Sequence, residues 1–212
     1  MTEPDIGQAD SMDLLARARR LSSATLHEAS GRRGALPGWL KPLAPTMHMA
    51  GRALPIRCPA GDNLWIHHAL VEASSDDVLV VDTAEGTDFG YWGEIMATAA
   101  QVRGVAGLVI TGGVRDSLRL VEMGLPTFCR TVTILGTGKN HKGDGAVGDP
   151  VRIGEVVVRK GDLVVGDADG LVCFPAAEAA AVIEASEKRD LAEVEIMNKL
   201  RAGATTLDVY KF

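Results

Sequence analysis

The chain has 212 residues, with 22 Lys+Arg against 28 Asp+Glu, so it is acidic with a formal net charge of −6. Its 46% apolar content is that of a globular protein and argues against disorder. Without a basic run the chain lacks the electrostatic footprint of a nucleic-acid or anionic-membrane binder, and neither partner is expected.

Residues 1–11 are expected to form a flexible arm, too acidic and polar for a signal peptide. Residues 12–212 are expected to form a single α/β domain. Residues 12–21 place Leu14, Leu15, Ala18 and Leu21 at helical spacing, and a second short helix is predicted through 21–30. Thr25 and Glu28 there stand in the relation of a capping box, with Gly31 as the C-terminal stop. A Gly/Pro-punctuated connection (31–45) leads to a strand over 49–58, and Asp62 is placed to cap a helix through 63–74.

The apolar runs 77–83 and 105–111 read as strands buried on both faces. Between them Trp92, Ile95, Met96, Ala99 and Val102 stand at helical spacing, which makes a strand–helix–strand unit with parallel strands. A short helix over 114–124, a strand over 126–134 and a glycine-rich loop over 135–150 follow. Three short strands are predicted within 151–174, then a helix over 176–202 with Glu184/Lys188 and Glu195/Lys199 four residues apart. Cys58, Cys129 and Cys173 are odd in number and widely spaced, so buried free thiols are expected rather than disulfides or a zinc site. No apolar run approaches the roughly 18 residues of a membrane span, and a cytoplasmic protein is the expectation.

The chemistry concentrates in TGGVRDSLRL (111–120). The reading is a strand ending at Thr111, two glycines that turn the chain, and Val114-Arg115-Asp116 opening a helix. Ligands gather at the carboxyl ends of strands in open α/β sheets. Arg115 there suits a carboxylate, and Asp116 a hard divalent cation held directly or through water. The same pair also reads as a helix-stabilising acid with its neighbouring arginine. The second candidate is WGEIM (92–96), where Gly93 permits close backbone approach and Glu94 begins a helix, although a solvated helix face explains Glu94 as well. If both segments emerge at one sheet edge, the set suits an α-keto acid.

Other matches fail on context. GDGAVG (143–148) does not open a helix after a strand, GKN (138–140) lacks the spacing of a phosphate-binding loop, and DADG (167–170) reads as a strand-to-strand turn. His27, His67 and His68 have no partner at metal spacing and read as solvated or core-edge residues.

Residues 93–128, GEIMATAAQVRGVAGLVITGGVRDSLRLVEMGLPTF, and 158–175, VRKGDLVVGDADGLVCFP, resemble the RraA-like family. It includes the 4-hydroxy-4-methyl-2-oxoglutarate and 4-carboxy-4-hydroxy-2-oxoadipate aldolases and the regulators of ribonuclease E activity. The resemblance implies a layered α/β/β swivelling-type fold with a parallel strand–helix–strand core, assembled as homotrimers or homohexamers with the site between subunits. The aldolase branch is marked by an acid, twenty residues, then Arg-Asp. Here these are Glu94, residues 95–114, and Arg115-Asp116, with glutamate where the branch mainly has aspartate. The resemblance implies that Asp116 anchors Mg²⁺ or Mn²⁺ and that Arg115 binds the keto-acid end and stabilises enolate charge. Glu94 is implied as a catalytic acid, and the backbone of Gly93, Glu94, Ile95 and Met96 as the receptor of a pyruvate carboxylate. Glu28, Glu193 and Glu195 are the candidates for an acid from a neighbouring subunit. The implied function is a metal-dependent pyruvate aldolase with oxaloacetate decarboxylase activity, the rival being a non-catalytic regulator that binds a ribonuclease.

Overall fold

A computed structural model describes residues 13–212; the expected arm at 1–11 lies outside the described residues. The sheet is built on β2 (Met49–Arg57), β3 (Asp77–Asp82), β5 (Gly107–Val114) and β6 (Thr127–Val132), joined as parallel neighbours in the spatial order β6-β5-β3-β2. Antiparallel strands extend its two ends, β1 (Lys41–Pro42) beside β6, and β10 (Leu163–Gly166) with β11 (Leu171–Phe174) beyond β2, while the short β7 (Ala146–Val147) pairs antiparallel with the last residues of β2. The result is a mixed, curled sheet.

Side-chain alternation along the strands separates the layers. Leu79, Val81, Leu108 and Ile110 pack with Ile66 and Leu70 of α3 (Leu64–Glu72), Met96 and Ala97 of α4 (Glu94–Val102), and Leu120 of α5 (Ser117–Met123). Val78, Val80 and Val109 point the other way, onto the hairpin of β8 (Val151–Ile153) and β9 (Val156–Val158). This is the expected α/β/β layering. A third cluster holds the N-terminal helical residues 13–18 (α1), α2 (Ser23–Ala29) and the long α6 (Ala179–Arg201) against β10 and β11.

Several local expectations are corrected. The 151–174 segment forms four strands, not three, because Gly154 at φ 60° closes a β8–β9 hairpin inside the first stretch. The N-cap of α2 is Ser22, whose hydroxyl accepts the Thr25 N–H, so no Thr25/Glu28 box forms; Glu28 pairs with Arg32 instead. Gly31, at φ 77°, does end that helix, one position after the Ser30 C-cap. Asp62 serves the start of α3 from one residue outside the cap, accepting the Leu64 N–H at 2.8 Å. Lys188 meets Glu184 at 2.7 Å, whereas Glu195 and Lys199 form no ion pair among the described residues. A terminal α7 (Thr206–Tyr210), which the sequence reading missed, is opened by a capping box of Thr205 and Asp208.

The three thiols are free and buried; burial pushes Cys58 and Cys173 up to about 12 and Cys129 up to about 11, which leaves them inert. No helix among the described residues is long and apolar enough to cross a membrane.

The DADG turn has a structural task. Asp167 accepts the Ser23 N–H and hydroxyl at 2.6 Å each, together with the Asp169 and Gly170 N–H groups of its own turn. Burial opposes its ionisation, but these four donors outweigh it and hold the carboxyl below the usual aspartate range. A depressed folded value means stability that is present above the ordinary aspartate pKa of about 4 and lost as pH falls through the lowered value. Asp167→Ala is therefore expected to lower stability by about 1–3 kcal/mol at neutral pH. The gap in thermal midpoint to the wild type should close in acid; a gap independent of pH would refute the assignment.

Candidate active site

The site lies where β5 runs past the end of β3. Val81 pairs with Ile110, and after that residue the neighbour of β5 on this side is the short β4 (Gly90–Trp92). Gly112 and Gly113 therefore do not turn the chain, as the sequence had suggested: they continue β5 through Val114. Their lack of side chains is what lets the strand pass. A Cβ on Gly112 would lie 2.8 Å from the Tyr91 ring, and one on Gly113 would lie 2.6 Å from Thr133 Cγ2 and 2.8 Å from the Phe89 carbonyl. The residues around Trp92 likewise form a buried strand, and the helix begins only at Glu94. Met96, Ala97 and Ala100 are its buried face, while Ile95 and Val102 are 79% and 83% exposed, reversing their expected core role.

Arg115 and Asp116 follow directly. The Arg115 N–H donates to the Trp92 carbonyl at 2.8 Å, fixing the chain as it leaves the sheet. Asp116 then adopts a left-handed conformation (φ 56°, ψ 33°), which aspartate tolerates better than most residues, and stands as the N-cap of α5. Its carboxylate does not cap that helix. Instead Oδ2 accepts the Glu94 N–H at 3.0 Å, tying the start of α4 to the end of β5. The Ile95 and Met96 N–H groups remain in the first turn without an intrahelical acceptor. Arg115 Nε approaches the same Oδ2 at 3.8 Å, which leaves Asp116 Oδ1 for a ligand. The two side chains are 50% and 42% exposed, so they are accessible and carry little of the core.

Two cavities meet at Arg115. The smaller, of about 200 Å³, is lined by Asn63, His67, Tyr91, Gly93, Ile95, Met96, Arg115 and Lys139. It brings two cations to a patch of an otherwise acidic chain, with no carboxylate in its lining. Burial, with Lys139 and His68 nearby, lowers the pKa of His67 and favours its neutral form. The Asn63 Nδ2–H donates to the Tyr91 carbonyl at 2.8 Å, while its buried Oδ1 has no hydrogen-bond partner among the described residues. Tyr91 is itself clamped, its hydroxyl accepting the Gly61 N–H at 2.7 Å and donating to the Gly86 carbonyl at 2.8 Å. The larger cavity, of about 520 Å³, is walled by Glu94, Arg115, Asp116, Arg119 and the apolar Leu118, Val132 and Ile134.

The expected residues Gly93, Glu94, Ile95, Met96, Arg115 and Asp116 thus converge. Glu28, on α2, and Glu193 and Glu195, on α6, line neither cavity; Glu28 pairs with Arg32 and Glu193 with Arg189 at 2.8 Å. Asn63, His67 and Lys139 were missed. The first two lie on α3 or at its start, and Lys139 sits in a loop tied to Gly61 by the Gly138 N–H at 2.7 Å; no spacing links them to Arg115 in sequence.

Among the described residues no group of three or more His, Cys, Asp or Glu side chains forms a metal cage. A small hard cation that keeps most of its waters needs only one or two carboxylates plus substrate oxygens. Asp116 Oδ1, at the wall of a solvent-accessible cavity that also receives Glu94, fits that donor set.

The RraA-like family profile, described as Aldolase/RraA, matches residues 9–173. A protein of Halalkalibacterium halodurans, provisionally named a 4-hydroxy-4-methyl-2-oxoglutarate aldolase, is 31% identical over 178 residues, 84% of each chain. The 4-hydroxy-4-methyl-2-oxoglutarate aldolase of Thermus thermophilus is 30% identical over 141 residues, 66% of this chain and 84% of that one. Among solved structures, an uncharacterised protein of Pseudomonas syringae superposes with a TM-score of 0.82 at 26% identity, covering 94% of this chain and 93% of that one. The RNA-processing inhibitor RraA of Thermus thermophilus gives a TM-score of 0.64 at 29% identity, covering 72% and 92%.

Proposed function

The chain belongs to the RraA-like family, and from that premise we propose that it is a divalent-metal-dependent pyruvate aldolase cleaving a 4-hydroxy-2-oxo diacid, with oxaloacetate decarboxylase activity. The observation that carries the reading is the Asp116 carboxylate bonded to the Glu94 N–H, beside Arg115 and the first-turn N–H groups of α4. The substrates in view are 4-hydroxy-4-methyl-2-oxoglutarate and 4-carboxy-4-hydroxy-2-oxoadipate.

The keto-acid carboxylate is received by the Ile95 and Met96 N–H groups, where the helix dipole favours an anion, with Lys139 adding charge. Arg115 contacts the 2-keto oxygen. Mg²⁺ or Mn²⁺, held by Asp116 and waters, would supply Lewis-acid polarisation of that same keto group. A water in the open cavity takes the C4 hydroxyl proton as the C3–C4 bond breaks and the C4 oxygen becomes the carbonyl of a second keto acid. The electron pair passes to C3 as the pyruvate enolate, which Arg115 stabilises until C3 is protonated. Oxaloacetate loses CO₂ to the same enolate. Glu94 lies at the wall of the reaction cavity as the acid of this chain, and Glu28, Glu193 and Glu195 are the candidates from a neighbouring copy.

Assembly as a homotrimer or homohexamer follows from the same reading. Its support is the apolar rim of the larger cavity, with Leu118 79% and Ile134 95% exposed, and the stripe Leu191, Val194 and Met197 on α6. Light scattering at micromolar concentration is expected to give a trimer or hexamer mass, and a monomer would overturn the assembly.

A lactate dehydrogenase-coupled assay of oxaloacetate and the two diacids, with and without Mg²⁺, tests the activity. Pyruvate release that is lost in EDTA and restored by Mg²⁺ or Mn²⁺ is the expected result; undiminished release in EDTA would refute the metal role. Similarity to the RraA inhibitor favours the second reading, a ribonuclease-binding regulator. Capture of a ribonuclease by a chain that releases no pyruvate would select it.

A further inference from the structure

Beyond the residues that contact substrate or metal, one arginine of this chain is placed to act through Glu94. Arg119 lies on α5, three residues after Asp116, and reaches across to the first residue of α4. Its Nε and Nη2 both donate to Glu94 Oε1, at 3.3 and 3.1 Å, and Nη1 pairs with Glu122 of its own helix. Two carboxylates therefore already face one guanidinium and offset its charge, which makes Arg119 a weaker receptor than Arg115 for a third from substrate. Glu94 and Arg115 line the same cavity, yet among the described residues they form no ion pair; the Glu94 carboxylate is committed to Arg119. The extra methylene of glutamate over aspartate lengthens the reach from α4 to α5.

We propose that Arg119 is a positioning residue: it fixes the Glu94 carboxylate in the cavity wall, keeping it in a working orientation and off Arg115. The proposal rests on the aldolase reading above. Without Arg119, the nearest cation in the Glu94 cavity lining is Arg115, and a carboxylate released onto it competes with the incoming keto acid. As an exposed ion pair, Arg119–Glu94 contributes little to stability, so its loss should leave the thermal midpoint nearly unchanged.

The test is a double-mutant cycle on the Mg²⁺-supplemented full chain, read as pyruvate release. Arg119→Ala is expected to lower kcat/KM by about tenfold to a hundredfold, the scale on which misplacing a reacting group acts. Arg119→Lys, which keeps the charge but loses the forked geometry, should recover part of that loss. Adding Arg119→Ala to Glu94→Ala should cost nothing further, because an arginine that works through Glu94 has no role once Glu94 is gone. A double variant weakened by the product of the single losses would mean that Arg119 acts on substrate itself, and would overturn the proposal. Wild-type activity in Arg119→Ala, or full activity in Glu94→Ala, would overturn it as well. If the wild type releases no pyruvate from any of the three substrates, the aldolase reading fails and takes the Arg119 role with it. An active wild type beside an unaffected Arg119→Ala is a failure of the Arg119 role alone. Should Arg119→Ala not fold, Arg119→Gln replaces it in the same cycle.

Discussion

Arg115→Ala and Asp116→Asn are each expected to cut kcat for pyruvate release by about a hundred- to a thousandfold, the usual consequence of removing one preorganised stabiliser of developing charge. The two side chains project from the end of β5 into a cavity, half-exposed, and neither packs in the core. Their loss should therefore leave the far-ultraviolet circular dichroism and the thermal midpoint near wild type. Asparagine is chosen at 116 because the backbone there is left-handed, a conformation that alanine adopts at a cost of about 1–2 kcal/mol. Asparagine also keeps an oxygen to accept the Glu94 N–H while removing the charge a cation needs. A steady-state pyruvate assay together with a melting curve separates the outcomes. Folded variants that retain wild-type kcat would remove both residues from the mechanism.

Gly93→Ala is the smallest change expected to have a comparable effect. Gly93 has φ −157°, an extended conformation open to any residue, so alanine introduces no backbone strain. The conflict is with the site. A methyl group at that position would collide with Asp116 Oδ2 and press on Arg115 Cγ and Nε at 3.1 and 3.2 Å. Both functional side chains would be displaced together, and displacements on the order of 1 Å cost about a hundredfold in rate. A loss of that size in kcat/KM with a nearly unchanged melting temperature is the expected signature. Wild-type activity in Gly93→Ala would show that the Arg115–Asp116 arrangement tolerates movement that the mechanism does not allow.

Much of the frame was legible before the fold was known. The short, nearly continuous apolar runs at 77–83 and 105–111 have the form of strands covered on both faces, and the segment between them is long enough for the crossover that makes them parallel. Local pattern failed where glycine was ambiguous. Gly112-Gly113 reads as a turn in isolation, because nothing in the sequence announces that Tyr91, Phe89 and Thr133 will crowd both sides of that strand. Periodicity failed at Trp92, Ile95 and Val102 for a related reason: apolar residues at helical spacing can serve a strand, a cavity rim or an exposed face.

By itself, then, the sequence determined the parallel strand–helix–strand core, through hydrophobic period and crossover length, while the layered frame was what the family resemblance implied. The meeting of Glu94 with Arg115-Asp116 depends on which strands are neighbours, and the fold supplies that. Only the tertiary structure decided which remote groups join them. Asn63 and His67 come from α3 and Lys139 from a loop more than twenty residues past Asp116. The pairing of Arg119 with Glu94 was equally invisible, since it depends on the angle at which α5 leaves the sheet. Convergence of this kind is set by packing between distant segments, and packing leaves no local trace in residue spacing.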